Sequence, residues 1–314
     1  MVKIKSNQKD YFLYNISRLY YIEKISQNEL ARIYKVSKAT ISRGLKEAEE
    51  KKIVQININD IFGIKKRLEE KIENKYKIKK ASISIVPGND KKLIKKSIGR
   101  EGAELVGHMI KDNISIGIAW GTTLFELVNL LEVKPLKNIK VLDLIGSMGN
   151  LFSNINASEL ARRFGKIYNG KNYFLNSLAV VNNRETKKHL IGEKEISDVL
   201  KMQKDLDIAI ISIGTVSLKS SIISNLNLRG NILKDIKDKG GVGDICLRYF
   251  GENGEQIKTS LNNRVIGIEL EDYKKIKTKV CISGGLEKLE AIKCALSNGL
   301  IDILVTDSLV AESL

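Results

Sequence analysis

The chain has 314 residues, of which 43% are hydrophobic and 29% are charged, and its formal net charge is +16. Residues 1–100 hold 25 basic and 11 acidic side chains, whereas residues 101–314 hold 28 and 26, so the excess positive charge lies in the first third and indicates a phosphate-rich partner there. No apolar run reaches the length of about 18 residues that a membrane span needs, and the N-terminus lacks the apolar stretch of a signal peptide, so we expect a cytoplasmic protein with no membrane partner.

The first predicted element is an aromatic-rich amphipathic helix over residues 11–24, with the packing residues Tyr11, Phe12, Tyr14, Ile16, Leu19 and Tyr20. We expect it to pack beneath a helix-turn-helix over residues 26–54. In the first helix of that pair, Leu30, Ala31 and Ile33 are spaced to cover one face.

The second helix of the pair has the features of a helix that reads DNA. Ser37 is placed to cap its start, and Ile41, Leu45 and Ala48 recur at i, i+4 and i+7 and are predicted to face inward. The opposite face offers short polar and long basic side chains for base edges and phosphates, and the predicted DNA-binding residues are Ser37, Lys38, Thr40, Ser42, Arg43 and Lys46. An ordinary basic helical hairpin is the alternative, but the agreement of cap, turn and polar face favours double-stranded DNA.

Two segments connect this region to the rest of the chain. Residues 51–58 alternate apolar and polar side chains like a strand, which would give a winged helix-turn-helix. A charged helix is predicted over residues 61–75, with Ile64, Leu68 and Ile72 forming one stripe. That stripe is either part of a core or a dimer seam, and we favour the seam because DNA readers of this kind usually bind two half-sites.

From residue 81 the pattern changes to short apolar strands that alternate with helices. The strands are predicted at 81–86, 114–119, 139–145, 207–213, 265–268, 279–282 and 301–305, and the helices at 91–110, 122–131, 157–168, 195–205 and 286–298. This alternation predicts a Rossmann-like α/β domain with a parallel sheet covered on both faces. Such sheets bind ligands beyond the C-terminal ends of their strands.

Glycine and hydroxyl residues follow several of these strands. Gly121, Thr122 and Thr123 open a helix whose free amides and hydroxyls can hold a phosphate, although a capped helix start with a packing glycine is the alternative. Lys288 is placed to add a charge to an anion near another helix N-terminus, unless it is a surface lysine. Asp244 follows a glycine-rich loop, which is either a turn or a site for sugar hydroxyls. Together these features predict a small phosphorylated polyol as the ligand.

The sequence resembles the SorC family of bacterial transcriptional regulators, sometimes grouped with deoxyribonucleoside-type repressors. The motifs that carry the resemblance occur in order over nearly the whole chain, namely GIAWGTT at 117–123, GVGDI at 241–245, RVIGI at 264–268, SGGLEK at 283–288 and LVTD at 304–307. The resemblance implies a sugar-binding domain related in fold to glucosamine-6-phosphate deaminases and ribose-5-phosphate isomerases. It also implies a phosphorylated sugar as effector and a homodimer or homotetramer on operator DNA.

The resemblance also implies roles for particular residues. By motif, the phosphate would be contacted by Gly121, Thr122, Thr123 and Lys288, the sugar hydroxyls by Asp244, and the effector also by the strand-end pair Gly146 and Ser147. Ser147 stands where the family usually has a second glycine, and Ser308 stands where it has an acidic residue.

We therefore expect a DNA-binding domain over residues 1–60, a linker helix over 61–78 and an effector domain over 79–314. The predicted function is operator binding controlled by a phosphorylated sugar or polyol, with no catalytic residues, cofactor or metal site. The alternative is a sugar-phosphate isomerase or deaminase with a fused DNA-binding domain, which would need a positioned acid and base that the motifs do not supply. A constitutive DNA-binding architectural protein is a third interpretation, and it leaves the large α/β domain without a role.

Overall fold

The computed structural model describes residues 2–56, 60, 62–149, 154–217 and 230–314. The chain divides into two compact units, Met1–Phe62 and Gly63–Leu314. No helix among the described residues is long and apolar enough to cross a membrane.

The first unit is helical. Its helices are α1 (Val2–Ser17), which continues as a π-helical turn (Arg18–Ile22), α2 (Gln27–Tyr34) and α3 (Lys38–Glu50). Ser26 caps α2 by accepting from Glu29 N, and the predicted cap at Ser37 is confirmed because its Oγ accepts from Thr40 N at 3.1 Å. Lys35, in the left-handed region at φ 54°, makes the turn between them.

The core of the first unit contains the inward residues predicted for α3, together with one face of α1. Its buried side chains are Leu13, Ile16, Leu30, Ile41, Leu45 and Ala48. Gly44 lets α1 and α3 approach closely, because a Cβ there would lie 2.7 Å from Ile16 Cδ1. The predictions for Tyr11, Tyr14 and Ile33 as packing residues are wrong, since their exposed fractions are 69%, 53% and 54%. These three positions lie off the stripes that meet in this small core.

The predicted strand of a wing is absent from the described part of its segment. Residues 51–54 form a turn and a bend, and the amides of Ile53 and Val54 both donate to Ala48 O at the end of α3. The alternating pattern therefore reflects a chain that folds back onto α3. Residues 57 and 58, the end of the predicted strand, lie outside the described residues.

The second unit alternates strands and helices. The strands are β1 (Lys80–Ser84), β2 (Ser115–Ile118), β3 (Lys140–Asp143), β4 (Lys171–Tyr173), β5 (Ile208–Ile211), β6 (Gly214–Thr215), β7 (Gly243–Ile245), β8 (Arg248–Phe250), β9 (Thr278–Ile282) and β10 (Ile303–Asp307). The α-helices are α4 (Ile64–Tyr76), α5 (Lys91–Met109), α6 (Thr122–Leu130), α7 (Ala157–Tyr168), α8 (Arg184–Gly192), α9 (Lys194–Met202), α10 (Gly230–Asp238), α11 (Leu270–Lys274), α12 (Leu289–Ser297) and α13 (Ser308–Ser313). Short 3₁₀ turns cover Gln203–Asp205, Ser260–Asn263 and Leu286–Lys288.

Seven strands form one sheet in the order β1-β10-β9-β5-β2-β3-β4, and every described pairing in it is parallel. The predicted parallel α/β sheet is therefore confirmed. The large core of the unit contains side chains of the sheet and of helices on it, such as Val106 of α5 and Phe164 of α7. A small antiparallel sheet, β6-β7-β8, was not predicted. The strand predicted at 265–268 is wrong, because this segment makes only isolated bridges from Val265 to Val180 and from Gly267 to Ile145.

Helix α4 packs on the edge of the large sheet. Ile72 is fully buried and Leu68 is packed against the core of the same unit. Two glutamates of α4 accept from the outer amides of β1, Glu73 from Ala81 N at 2.8 Å and Glu69 from Ile83 N at 3.0 Å. The preference for a dimer seam is wrong for Ile72 and Leu68, because they fill this domain's own core.

Candidate functional site

The face of α3 predicted to contact DNA divides into two groups. Lys38, Ser42, Arg43 and Lys46 are exposed, whereas Thr40 is half-buried. The Ser37 hydroxyl is hydrogen-bonded to Thr40 Oγ1 at 2.8 Å as well as to Thr40 N. Lys38, Ser42 and Lys46 follow one another at intervals of four residues, so they share one face of the helix, with Arg43 beside them. The exposed group is free to meet a partner, and the capping pair fixes the start of the helix.

In the second unit, a cleft of about 880 Å³ opens beyond the C-terminal ends of β2, β5 and β9. These strands are neighbours in the sheet, so the segments that follow them converge. Residues 119–123, 212–217 and 287–288 line the cleft, together with Asp244 from the small sheet. The structure thus brings together five of the predicted effector residues, which are Gly121, Thr122, Thr123, Asp244 and Lys288.

The first turn of α6 forms one wall of the cleft. Gly121 precedes the helix at φ +142°, a conformation that residues with a side chain rarely adopt. Thr122 is half-buried and Thr123 is buried. The amides of a helix's first turn have no acceptor within the helix, and the helix dipole is positive at this end. This wall is therefore suited to an anion.

Lys288 supplies a positive charge close to the ends of β5 and β9. Its Nζ donates to the hydroxyls of Ser212 and Ser283, at 3.3 Å in each case, and no ion pair to it is found among the described residues. Burial lowers the pKa of Lys288, and the positive charge of Lys95 lowers it further. The ammonium is therefore hydrogen-bonded to neutral groups only, which leaves its charge available to an anion.

Asp244 brings a carboxyl group to the cleft from β7. It is 6% exposed, and its Oδ2 accepts from Leu247 N at 3.0 Å. Burial raises the pKa of Asp244 to about 6, against the opposing effects of the Leu247 hydrogen bond and the Lys288 charge. Gly214 opposes Asp244 in the small sheet, and a Cβ on Gly214 would lie 2.0 Å from Asp244 Oδ1. Glycine at 214 therefore makes room for the carboxyl group.

Gly146 and Ser147 do not line the cleft. Gly146 N donates to Ile266 O at 3.0 Å, and a Cβ at this position would lie 2.7 Å from Ser177 O. Ser147 N donates to Ser177 O, and its hydroxyl accepts from Gly149 N at 3.0 Å. Because both residues are used in packing the segments beyond β3, the structure does not support their assignment to the effector site.

Several residues of the cleft were not predicted. Lys91 and Lys95 reach it from the start of α5, and Lys91 is paired with Glu287 at 3.1 Å. The run KKLIKK at residues 91–96 is a visible sequence signal, but as a surface helix start it gives no sign of proximity to strands more than 100 residues away. Cys294 also lines the cleft and is half-buried, whereas Cys246 and Cys281 are buried.

The carboxylate of Asp307 fixes the loop after β9 by hydrogen bonds to its backbone. It is fully buried, and it accepts from Gly285 N at 2.7 Å and from Val310 N at 3.1 Å. A Cβ on Gly284 would lie 2.3 Å from Asp307 Oδ2, so this glycine is required for the contact. The adjacent Ser308 accepts from Val86 N through its hydroxyl, which ties the end of β10 to the segment after β1.

Neither of the two histidines is placed to act as an acid or a base in the cleft. His108 and His189 are both exposed on helices, and neither lines it. In the described part of the chain, no group of three or more His, Cys, Asp or Glu side chains is arranged to hold a metal ion.

Comparisons with known proteins agree with this two-part arrangement. The family model described as "Putative sugar-binding domain" matches residues 62–314. The deoxyribonucleoside regulator of Bacillus subtilis (strain 168) is 29% identical over 298 residues, which cover 95% of this chain and 95% of that protein. The sorbitol operon regulator of Klebsiella pneumoniae is 25% identical over 301 residues, or 95% of this chain and 96% of that protein.

Solved structures are similar over the whole chain or over most of it. The full-length sorbitol operon regulator SorC from Klebsiella pneumoniae superposes with a TM-score of 0.80 at 24% identity, covering 96% of this chain and 97% of that one, and this likeness shows the fold. A DeoR family transcriptional regulator from Listeria monocytogenes has a TM-score of 0.74 at 29% identity, covering 79% of this chain and 98% of that one.

Proposed function

This chain belongs to the SorC family of transcriptional regulators with a sugar-binding domain, and we propose that a phosphorylated sugar or polyol bound in its second unit changes the affinity of its first unit for operator DNA. The relatives are named as regulators, which supports this interpretation over an isomerase or deaminase. We further propose that the protein acts in the cytoplasm as a homodimer or homotetramer, since DNA readers of this kind bind paired half-sites.

The observation that carries the effector proposal is the composition of the cleft. The first turn of α6 offers amides and the hydroxyls of Thr122 and Thr123, and Lys288 adds a charge that no carboxylate pairs with among the described residues. A phosphate group satisfies all of these donors at once. Asp244 lies in the same cleft, where its carboxyl group can accept from hydroxyls of a sugar or polyol.

The DNA contacts are proposed for the exposed group on α3. Lys38 and Lys46 would neutralise phosphates, and Ser42 and Arg43 would reach base edges. Ser37 and Thr40 would act by fixing the start of the helix, because their hydroxyls are bonded to each other and Ser37 also caps α3.

The proposal is tested by fluorescence anisotropy of labelled DNA from upstream of the protein's own gene, titrated with the full chain. The titration is repeated with each member of a panel of sugar and polyol phosphates and with the same compounds lacking phosphate. We expect one phosphorylated compound to change the DNA affinity at least tenfold, which corresponds to about 1.4 kcal/mol of coupling.

Binding of DNA that no compound changes would contradict control by this effector class. Turnover of a panel member by the purified protein would support the enzyme alternative instead, in which the first unit is an addition to a sugar-phosphate enzyme.

A further inference from the structure

Lys95 is a second cation in the effector cleft, and its surroundings differ from those of its neighbour Lys91. Both side chains line the cleft from α5, but Lys91 is paired with Glu287 at 3.1 Å. Lys95 is half-buried, and within the described ranges no carboxylate lies at ion-pair distance from it. The charge of Lys95 is therefore not paired with a carboxylate in the described part of the cleft, and it can interact with an anionic ligand.

The positive charges of Lys95 and Lys288 act on each other. Burial is the main cause of the lowered pKa of Lys288, and the charge of Lys95 lowers it further, while Asp244 and Glu287 act in the opposite direction. Of these two carboxyl groups, Glu287 is paired with Lys91 and Asp244 is buried beside Leu247. The two ammonium groups therefore share a part of the cleft that holds more positive than negative charge.

The packing of α5 explains how Lys95 reaches this position. Gly99 follows Lys95 by four residues, so both lie on the same face of α5. A Cβ on Gly99 would lie 2.6 Å from Glu126 Cβ, so this face is in close contact with α6. On the same turn as Gly99, Ile98 Cδ1 would lie 3.2 Å from a Cβ on Gly284, in the loop that leads to Lys288. Helix α5 therefore contacts both α6 and the loop before Lys288 at Ile98 and Gly99. Lys95 lies one helical turn before these contacts, and its side chain lines the cleft.

We propose that Lys95 is an effector-binding residue that closes the phosphate site from α5, so that a dianionic phosphate ester is held between Lys95, Lys288 and the first turn of α6. This inference rests on the proposed function, because it deepens the effector site described there. Two lysines around one group select a dianion, since a carboxylate or another monoanion neutralises only one of them. In the absence of ligand, the same two lysines repel each other.

The test compares three single variants of the full chain: Lys95→Met, Lys288→Met and Lys96→Met. Methionine keeps the aliphatic part of the side chain and removes the charge. Lys96 is the matched control, because it is exposed on the same helix and does not line the cleft. The dissociation constant of inorganic phosphate is measured by NMR titration at about pH 8, where phosphate is mostly dianionic. Thermal unfolding is measured in phosphate-free buffer.

We expect Lys95→Met and Lys288→Met each to weaken phosphate binding about tenfold or more, as for the loss of one charged hydrogen bond, and Lys96→Met to change it less than about twofold. Without phosphate, Lys95→Met should unfold at the same temperature as the wild type or higher, because a repulsion is removed. A purely structural lysine would instead give a lower unfolding temperature and unchanged phosphate affinity.

Two outcomes separate the inference from the proposed function. If Lys288→Met loses phosphate affinity and Lys95→Met keeps it, the phosphate site stands and the role of Lys95 is overturned. If the wild type and all three variants bind phosphate equally weakly, the phosphate site itself is wrong, and the effector class proposed above fails with it.

Discussion

Asp143 and Asp244 are two buried carboxyl groups that differ in their position relative to the cleft. Asp143 ends β3 and is fully buried; its Oδ2 accepts from Ser158 Oγ at 2.8 Å and from Leu175 N at 3.2 Å. Its Oδ1 has no hydrogen-bond partner among the described residues. Burial raises the pKa of Asp143 to about 7 and the pKa of Asp244 to about 6. Asp244 lines the cleft and belongs to the proposed effector site, whereas Asp143 lies outside the cleft.

At this scale we predict that Asp143 makes the protein less stable as the pH rises. Because its pKa is raised from 3.8 to about 7 by folding, its protonated form favours the native state, and that contribution is present below about pH 4 and lost as the pH rises through 7. The unfolding free energy of Asp143→Asn should therefore fall less between about pH 4 and 8 than that of the wild type, by about 4 kcal/mol at 1.36 kcal/mol per pKa unit. Urea unfolding at a series of pH values measures this.

The control for Asp143 is Asp198→Asn on the exposed surface of α9, where a hydrogen bond from Lys194 lowers the pKa of the carboxyl group. That variant should leave the pH profile above pH 4 unchanged. If the unfolding free energy of Asp143→Asn depends on pH as that of the wild type does, ionisation of Asp143 does not destabilise the native protein, and the prediction is wrong.

Among the elements, α4 and α5 connect the effector site with the start of the second unit. Helix α4 begins at Ile64, directly after the end of the first unit. Its Lys65 donates to Glu101 of α5 at 2.6 Å, and the same carboxylate accepts from Ser82 of β1 at 2.6 Å. Since α5 also carries Lys91 and Lys95 into the cleft, one helix contacts both the ligand site and the first turn of α4.

We therefore predict that Glu101→Gln weakens the coupling between effector and DNA. The amide keeps the shape of the side chain but loses the charge that holds Lys65, so a shift of α5 is transmitted less strongly to α4. Affinity for the effector should change less than about twofold, while the effector-induced change in DNA affinity should fall by at least threefold, or about 0.6 kcal/mol. Anisotropy titrations with and without effector measure both quantities.

Glu104→Gln is the matched control, because Glu104 is exposed on the same helix and its charge acts on Lys65 without a hydrogen bond or ion pair among the described residues. A Glu101→Gln protein with full coupling would place the transmission elsewhere, for example in the contacts of α4 with the last helix, where Lys71 donates to Glu312 O at 2.9 Å.

For the whole molecule, the division into two units separates the packing of the chain, whereas both units are basic. Residues 1–62 hold 12 basic and 7 acidic side chains, and residues 63–100, at the start of the second unit, hold 13 and 4. The core of the first unit is a separate cluster from the large core of the second. Substitutions on the exposed face of α3 should therefore leave the proposed effector site unchanged.

We predict that the double variant Arg43→Ala, Lys46→Ala lowers operator affinity roughly ten- to a hundredfold, because it removes one base contact and one phosphate contact. Its affinity for the effector should equal that of the wild type. The control is Lys166→Ala, Lys201→Ala, which removes the same charge from exposed helices of the second unit. A double variant that also loses effector binding would contradict the separation of the two functions.

The sequence by itself determined the elements whose signals are local. The cap at Ser37, the inward stripe of α3 and the full extent of α7 were predicted correctly, because capping and helical periodicity depend on residues within four positions of one another. The parallel sheet followed from strands that alternate with helices. Gly121, Thr122, Thr123, Asp244 and Lys288 were assigned to one site through their motifs, and the structure brings them to one cleft.

Only the tertiary structure decided which segments meet. The order β9-β5-β2 places three strand ends side by side, and the packing of α5 on α6 carries Lys95 to them, although no local pattern distinguishes Lys95 from Lys96. Gly146 and Ser147 have the composition of a ligand loop but are used in packing. In the predicted stripe of α4, Ile72 and Leu68 pack into the core where a seam was expected, whereas Ile64 is exposed. A residue's own sequence neighbourhood sets its secondary structure, whereas its partners across the fold depend on contacts between segments far apart in the chain.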